Sequence, residues 1–181
     1  INISGFEILR NTAAITQDMA AFTGIVAAQS TVGVLTATEA GIADYFALAS
    51  STGLDMKLAT DGTADNLNIH MGSAVAQTNA TGVTIDAIEV ETALIASTGA
   101  NGNVITDFEA DALTALTITG SKTVSVTLND SAAVATIPLV TVDASGFTGP
   151  SLSVTAVEAD SGVTITTGSL ALVATVGNGT N

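Results

Sequence analysis

The chain has 181 residues, of which 11% are charged and 3% aromatic, whereas ordinary globular domains carry roughly 25% charged residues. Seventeen acidic side chains face only Arg10, Lys57 and Lys122, for a formal charge of −14. That balance excludes the basic footprint nucleic-acid binding needs, while it permits a divalent cation held between carboxylates. No cysteine is present, which excludes disulfides, thiolate metal sites and thiol catalysis. No uninterrupted apolar run of about 18 residues occurs, so a membrane-spanning helix is not expected. With so few aromatics, the core has to be assembled from many small β-branched contacts, which suits a thin regular stack better than a thick globule. The sequence opens at Ile1 without an initiator methionine or a basic, apolar leader, so a mature product or a fragment of a longer chain is expected.

In chain order, Gly5-Phe6-Glu7-Ile8-Leu9 looks like a strand. Ile15, Met19, Phe22 and Ile25 then fall at helix-like spacing within residues 11–25, and residues 37–50 are rich in alanine. Residues 1–60 are therefore expected to form irregular coils with one or two short helical insertions. From Asp61 to Asn181 the pattern is more regular. Short apolar and threonine strands recur between Gly, Ser and Asn turns, and the anchors Leu67, Leu94, Leu116, Val140 and Val163 are separated by 27, 22, 24 and 23 residues. A second series follows the first at Val124-Ser125-Val126-Thr127, Leu152-Ser153-Val154-Thr155 and Leu170-Ala171-Leu172-Val173.

A period of this size marks a solenoid, a propeller or an array. Alternation within each strand sends one row of side chains inward and the next outward, and the outward row is mostly hydroxylated, as in Thr117, Thr119, Ser125 and Thr127. The fold class expected is all-β, a parallel β-helix (β-solenoid) built as one continuous stack. An antiparallel sandwich also offers short strands and frequent turns and stays open as a rival.

Two stretches carry a resemblance. Residues 111–127 read Asp-Ala-Leu-Thr-Ala-Leu-Thr-Ile-Thr-Gly and then Ser-Lys-Thr-Val-Ser-Val-Thr; residues 139–149 read Leu-Val-Thr-Val-Asp-Ala-Ser-Gly-Phe-Thr-Gly and run into Leu152-Ser153-Val154-Thr155. Both resemble the repeat units of bacterial surface-layer proteins and of giant RTX-type adhesins. Gly5–Arg10 and Ile88–Glu91 are similar to strands that open coils in those proteins. The resemblance implies a β-solenoid from a Gram-negative surface layer, exported by type I secretion and often dependent on calcium. The Gly-Gly-x-Gly-x-Asp calcium repeat of RTX proteins is absent.

Calcium candidates come from clusters of carboxylates. Asp107, Glu109 and Asp111 alternate, so an extended segment would carry them on one side at spacings of about 7 Å. The spacing also begins like an EF-hand loop, but Ala112 stands where the glycine is needed and Ile118 where the bidentate glutamate is needed. Asp61 and Asp65 flank the turn Gly62-Thr63-Ala64, whose carbonyls add hard oxygen ligands. Asp86, Glu89 and Glu91 form a third cluster, and Glu158 with Asp160 a fourth. Each has a plain structural alternative, as turn stabilisers or as the wet face of a strand that discourages edge pairing.

The single histidine, His70, is expected on the surface, since one His without Cys makes no typical zinc site. No Gly-x-Ser-x-Gly elbow is present. A polysaccharide lyase or hydrolase on a β-helix would need basic groups or a paired acid and base in an aromatic-lined cleft. With Tyr45 the only tyrosine and no tryptophan, no catalytic residues are assigned and no enzyme activity is expected. An ice-binding threonine face is broken by Ala, Ser and Asp.

The expected function is a structural subunit of a self-assembling, extracellular cell-surface layer, with calcium as its cofactor and self-association into a lattice or filament. The alternatives are an adhesin stalk or extracellular filament and, after those, a polysaccharide-acting β-helix enzyme. Contact with surface polysaccharide is assigned to portions of a longer chain.

Overall fold

The computed structural model describes residues 3–4, 7–131, 137–157, 159, 162–168 and 172–176. In chain order the first strands are β1 (Ile3–Ser4), β2 (Ile8–Asn11), β3 (Ile15–Asp18), β4 (Phe22–Thr23), β5 (Ala27–Ser30), β6 (Gly33–Ala40), β7 (Asp44–Ala47), β8 (Thr52–Leu58) and β9 (Asn66–Met71). They continue as β10 (Val83–Asp86), β11 (Thr92–Ser97), β12 (Asn103–Glu109), β13 (Ala115–Gly120), β14 (Val124–Asn129), β15 (Thr141–Ala144), β16 (Leu152–Ala156), β17 (Thr164–Thr167) and β18 (Leu172–Val176). Phe6 of the first expected strand, Leu170 and Ala171 of the last, and the Glu158–Asp160 cluster lie outside the described residues.

Two eight-stranded sheets make up the stack, in the orders β2-β5-β7-β9-β11-β13-β15-β17 and β3-β6-β8-β10-β12-β14-β16-β18. Consecutive coils place one strand in each sheet, and every ladder between named strands is parallel. That is the parallel β-solenoid, and it rules out the sandwich, whose neighbouring strands would run antiparallel. The seven steps from β2 to β17, at about 4.8 Å each, give a stack about 34 Å high.

Alternation supplies the core. In β9, Leu67, Ile69 and Met71 are buried while Asn68 and His70 look outward; β14 does the same with Val124, Val126 and Leu128. Each inward side chain stacks on its register partners, as in the row Leu9, Ala28, Tyr45, Ile69, Ile95 and Ile118. Ala28 is the small member between Leu9 and Tyr45, and it leaves room for the bulkiest fully buried side chain. Burying one such large aliphatic side chain contributes about 1.5–3 kcal/mol relative to leaving it exposed, so the stack gains stability with every coil.

Coil length is uneven. Along that row the steps are 19 (Leu9 to Ala28), 17 (Ala28 to Tyr45), 24 (Tyr45 to Ile69), 26 (Ile69 to Ile95) and 23 (Ile95 to Ile118). The early coils are short because their turns are short: three residues, Gly41–Ala43, join β6 to β7. The sequence anchors need correction here. Leu67 pairs with Ala93, not Leu94, and Leu116 pairs with Val142, which pairs with Ile165, not with Val140 and Val163. Leu94 faces outward, and an apolar outward residue beside a small inward one reads as the anchor until the register is known.

The helix-like spacing at residues 11–25 resolves into β3, one 3-10 turn (Met19–Ala21) and β4, with Asp18 capping the turn by accepting the Ala20 N–H at 2.9 Å. The alanine-rich residues 37–50 are largely strand. Ala37, Ala40 and Ala47 are buried in inner rows, where the narrow core favours a small side chain; helix propensity yields to packing there.

One excursion leaves the stack. Residues 72–82 loop out, closed by an antiparallel bridge between Ser73 and Thr78, with Val75 97% exposed at the tip. It lengthens the step from Leu54 to Ile85 to 31 residues. Asn103, wholly buried, clips the loop down: its Oδ1 accepts the Ala80 N–H at 2.7 Å, and its Nδ2 donates to Ser97 Oγ (2.9 Å) and the Thr98 carbonyl (2.7 Å), with the Met71 carbonyl at 3.4 Å. Gly99 lies under the loop at φ +95°, where a Cβ would fall 2.0 Å from the Thr78 carbonyl oxygen, so only glycine fits.

Replacing Asn103 by alanine strands these buried groups and is expected to cost about 1–3 kcal/mol, seen as a lower urea midpoint at unchanged slope. Ser125→Ala, on an outward row, should shift stability by less than about 0.5 kcal/mol.

Candidate metal site

The turn between β8 and β9 carries Asp61 and Asp65, and the turn between β10 and β11, one coil further on, carries Glu91. Stacking superimposes the two turns. One carboxylate oxygen from each of Asp61, Asp65 and Glu91 lies within 4.8 Å of the others, and no other such group of three or more His or acidic residues occurs among the described residues. Glu91 Oε2 accepts the Asp65 N–H at 2.7 Å, and Asp65 Oδ2 accepts the Gly62 N–H at 2.7 Å. Asp61 is exposed and the other two are half-buried. Among the described residues no Lys or Arg is ion-paired to any of the three. A shallow groove runs beside Asp65, between the short Gly41–Ala43 turn and the longer Ala59–Asp65 turn. Three hard oxygen donors brought together from two stacked turns are of the type calcium takes, since it binds 6–8 oxygens and accepts carbonyls and water to complete its shell.

The other candidates take separate places. Glu89 Oε2 accepts the Leu58 N–H at 2.7 Å and so ties β8 to the following coil. Asp107 and Glu109 both face outward on β12, flanking the buried Phe108, as the alternation predicts. Asp111 lies beyond the strand, in the turn. Asp107 accepts from Asn129 Nδ2 at 2.6 Å, and Asp111 accepts from the Ser131 N–H at 2.7 Å and from its hydroxyl. The third cluster is therefore divided: Asp86 sits on the outer face of β10, Glu89 in the turn after it with its carboxylate on the end of β8, and Glu91 with Asp61 and Asp65.

Asp86 belongs to a column that sequence reading missed. Asp55, Asp86 and Glu109 are direct register partners on β8, β10 and β12, so three carboxylates stack on adjacent coils. Burial first, and then the charges of Asp55, Glu109, Asp111 and Asp107, push the Asp86 carboxyl up to about 6. Burial and the neighbouring acids raise Glu109 as well.

His70 is half-exposed on the outer face, as expected. Its Nε2 lies 3.0 Å from Asp44 Oδ1, which also accepts from Asn68 Nδ2 at 3.2 Å. Its ring stacks on Phe46 of the preceding coil, with centroids 4.4 Å apart and planes inclined by 12°. No hydroxyl hydrogen-bonds to His70 among the described residues. Tyr45 lies at the heart of the stack, where burial pushes its phenol up to about 12 and the neighbouring Ser30 and Thr52 hydroxyls offset that rise only in part. Those two hydroxyls themselves donate to Asn11 Oδ1 and the Ala49 carbonyl.

Compared with protein-family models, curated proteins and solved structures, the chain matches none. The functional reading therefore rests on its own residues. Among the described residues no helix is long and apolar enough to cross a membrane.

The acidic column has a pH signature. Asp86 in the folded chain titrates near 6, above its ordinary 3.8, so the folded state binds this proton more tightly than the unfolded state. The destabilisation is complete above 6 and fades as pH falls towards 3.8. The thermal midpoint should therefore rise on acidification from neutrality through this window. Asp86→Asn should raise the midpoint at neutral pH and flatten the rise.

Proposed function

We propose that this chain is a structural segment of a self-assembling bacterial cell-surface layer, extracellular and non-catalytic, acting through protein–protein contacts. The observation that carries this reading is the uninterrupted β-solenoid: coil after coil spends its inward side chains on one shared core. Such a stack is a spacer and a scaffold by construction, because its strength grows with each added coil. Its outer rows suit lateral contact. In β13, β14 and β16 they are mostly small or hydroxylated, with Ser125 on Ser153 and Thr127 on Thr155 in register, while Asn129 on β14 and the exposed Asp143 on β15 are the exceptions. The resemblance of residues 111–127 and 139–155 to surface-layer repeats points the same way, and with it the reading includes export by type I secretion.

A stalk of a secreted adhesin, or an extracellular filament, is the second reading. It is favoured by the same core and needs no lateral contact. Electron microscopy of the purified chain with calcium separates the two. Sheets or fibres are expected for the assembly reading, whereas dispersed single rods at every concentration would replace it with the stalk.

Calcium enters the proposal through Asp61, Asp65 and Glu91. Bound there, it would tie two successive turns together and stabilise the folded chain by mass action. The thermal midpoint is expected to rise with calcium relative to a chelator. Asp61→Asn should reduce the rise without touching the two hydrogen bonds that Asp65 and Glu91 make. A midpoint that is the same in calcium and in chelator removes calcium from the reading.

A further inference from the structure

The turn joining β11 to β12 contains Asn101-Gly102. Asn-Gly is a turn-forming pair with a permissive backbone, and asparagine is among the thermolabile residues. Asn101 is exposed, and among the described residues its side-chain amide makes no hydrogen bond and the Gly102 N–H donates to no partner. Every other asparagine among the described residues precedes a residue with a side chain. The one described Asp-Gly pair, Asp61-Gly62, differs in a decisive way: its Gly62 N–H is held by Asp65 Oδ2 at 2.7 Å. The second Asn-Gly pair, Asn178-Gly179, lies outside the described residues.

We propose that Asn101 is a site of spontaneous deamidation and isomerisation in the folded chain. The Gly102 backbone nitrogen attacks the Asn101 side-chain carbonyl carbon. A new C–N bond closes a five-membered succinimide while the bond to the side-chain nitrogen breaks, and ammonia leaves with the proton from the Gly102 nitrogen. Water then opens the ring at either carbonyl, to aspartate or isoaspartate. No oxidant or reductant takes part, and water is the only co-reactant.

Position gives the reaction its consequence. Asn103, the buried clip of the excursion, lies two residues on, and its backbone N–H donates to the Thr123 carbonyl at 2.9 Å. Isoaspartate adds a methylene to the main chain just before it, and either product adds a carboxylate to a chain already at −14. Ageing at Asn101 therefore loosens the seam that holds residues 72–82 to the stack.

The test incubates the folded full-length chain in mildly alkaline buffer, beside the same chain unfolded in urea, and follows both by peptide mapping with mass spectrometry. The Asn101 amide is expected to be lost ahead of all other described asparagines, with isoaspartate in its peptide and slower isomerisation at Asp61. Asn101→Gln should abolish the signal in that peptide. A folded chain that keeps the Asn101 amide while the unfolded chain loses it overturns the proposal. Aged protein, separated by charge and carrying the conversion in the Asn101 peptide alone, should melt in urea at a lower midpoint; an unchanged midpoint overturns the loosening of the seam.

Discussion

Parallel, in-register stacking at about 4.8 Å per coil is the constraint from which the rest of this molecule follows. Each side chain has the same neighbours: the residues at its own position one coil before and one coil after. An inward position that is apolar in one coil must be apolar, or internally satisfied, in the next, and the row from Leu9 to Ile118 obeys this. Where a polar side chain enters an inner row it brings its partners with it. Asn11 is bonded to Ser30 from the adjacent coil, and Asn103 to Ser97 and three backbone groups. An isolated amide in the same place would leave unpaired groups in the core.

The same geometry works against the fold on the outside. Like charges directly opposite one another destabilise a sheet, and the rule that aligns the core also aligns Asp55, Asp86 and Glu109. Lys57 is exposed on β8, two residues along from Asp55, but among the described residues no ion pair relieves the column. At the turns, stacking brings Asp61, Asp65 and Glu91 together, but there Asp65 and Glu91 also accept backbone N–H groups. The two acidic groupings thus differ in kind. The turn cluster organises its own backbone and lies beside a groove, while in the column on the sheet face burial and like charge both disfavour the carboxylates, and a proton relieves them.

Much of the candidate site was legible, though not its membership. Asp61 and Asp65 were recognisable as a pair because they flank one turn. Glu91 was grouped with Asp86 and Glu89, its sequence neighbours, although it follows Asp65 by 26 residues, the same step that separates Asn66 from Thr92 and Leu67 from Ala93. Anchoring on Leu94 made that step 27 and hid the match. Asp55 was invisible for the opposite reason. Its partner Asp86 is 31 residues away, because the excursion at residues 72–82 interrupts the period, and no local pattern announces how long a loop will be. Asp44, the partner of His70, was missed in the same way: it lies 26 residues away, whereas the register step between their strands is 24, as from Asp44 to Asn68.

The sequence alone determined the class: alternation, Gly and Ser turns, few aromatics and a repeat in the twenties leave little but a stack of short strands. These are local properties, set by the pleat and by what each turn can accommodate. Only the tertiary structure decided that the ladders are parallel rather than antiparallel, that the early coils are the shorter ones, and that residues 11–25 make one 3-10 turn and no longer helix. It also decided which carboxylates meet. Register is the reason. It is fixed by the packing of every inner row at once, and a shift of one residue exchanges inside for outside along a whole strand. No single segment contains that information, and the acidic cluster at the turn exists only where two segments are superimposed.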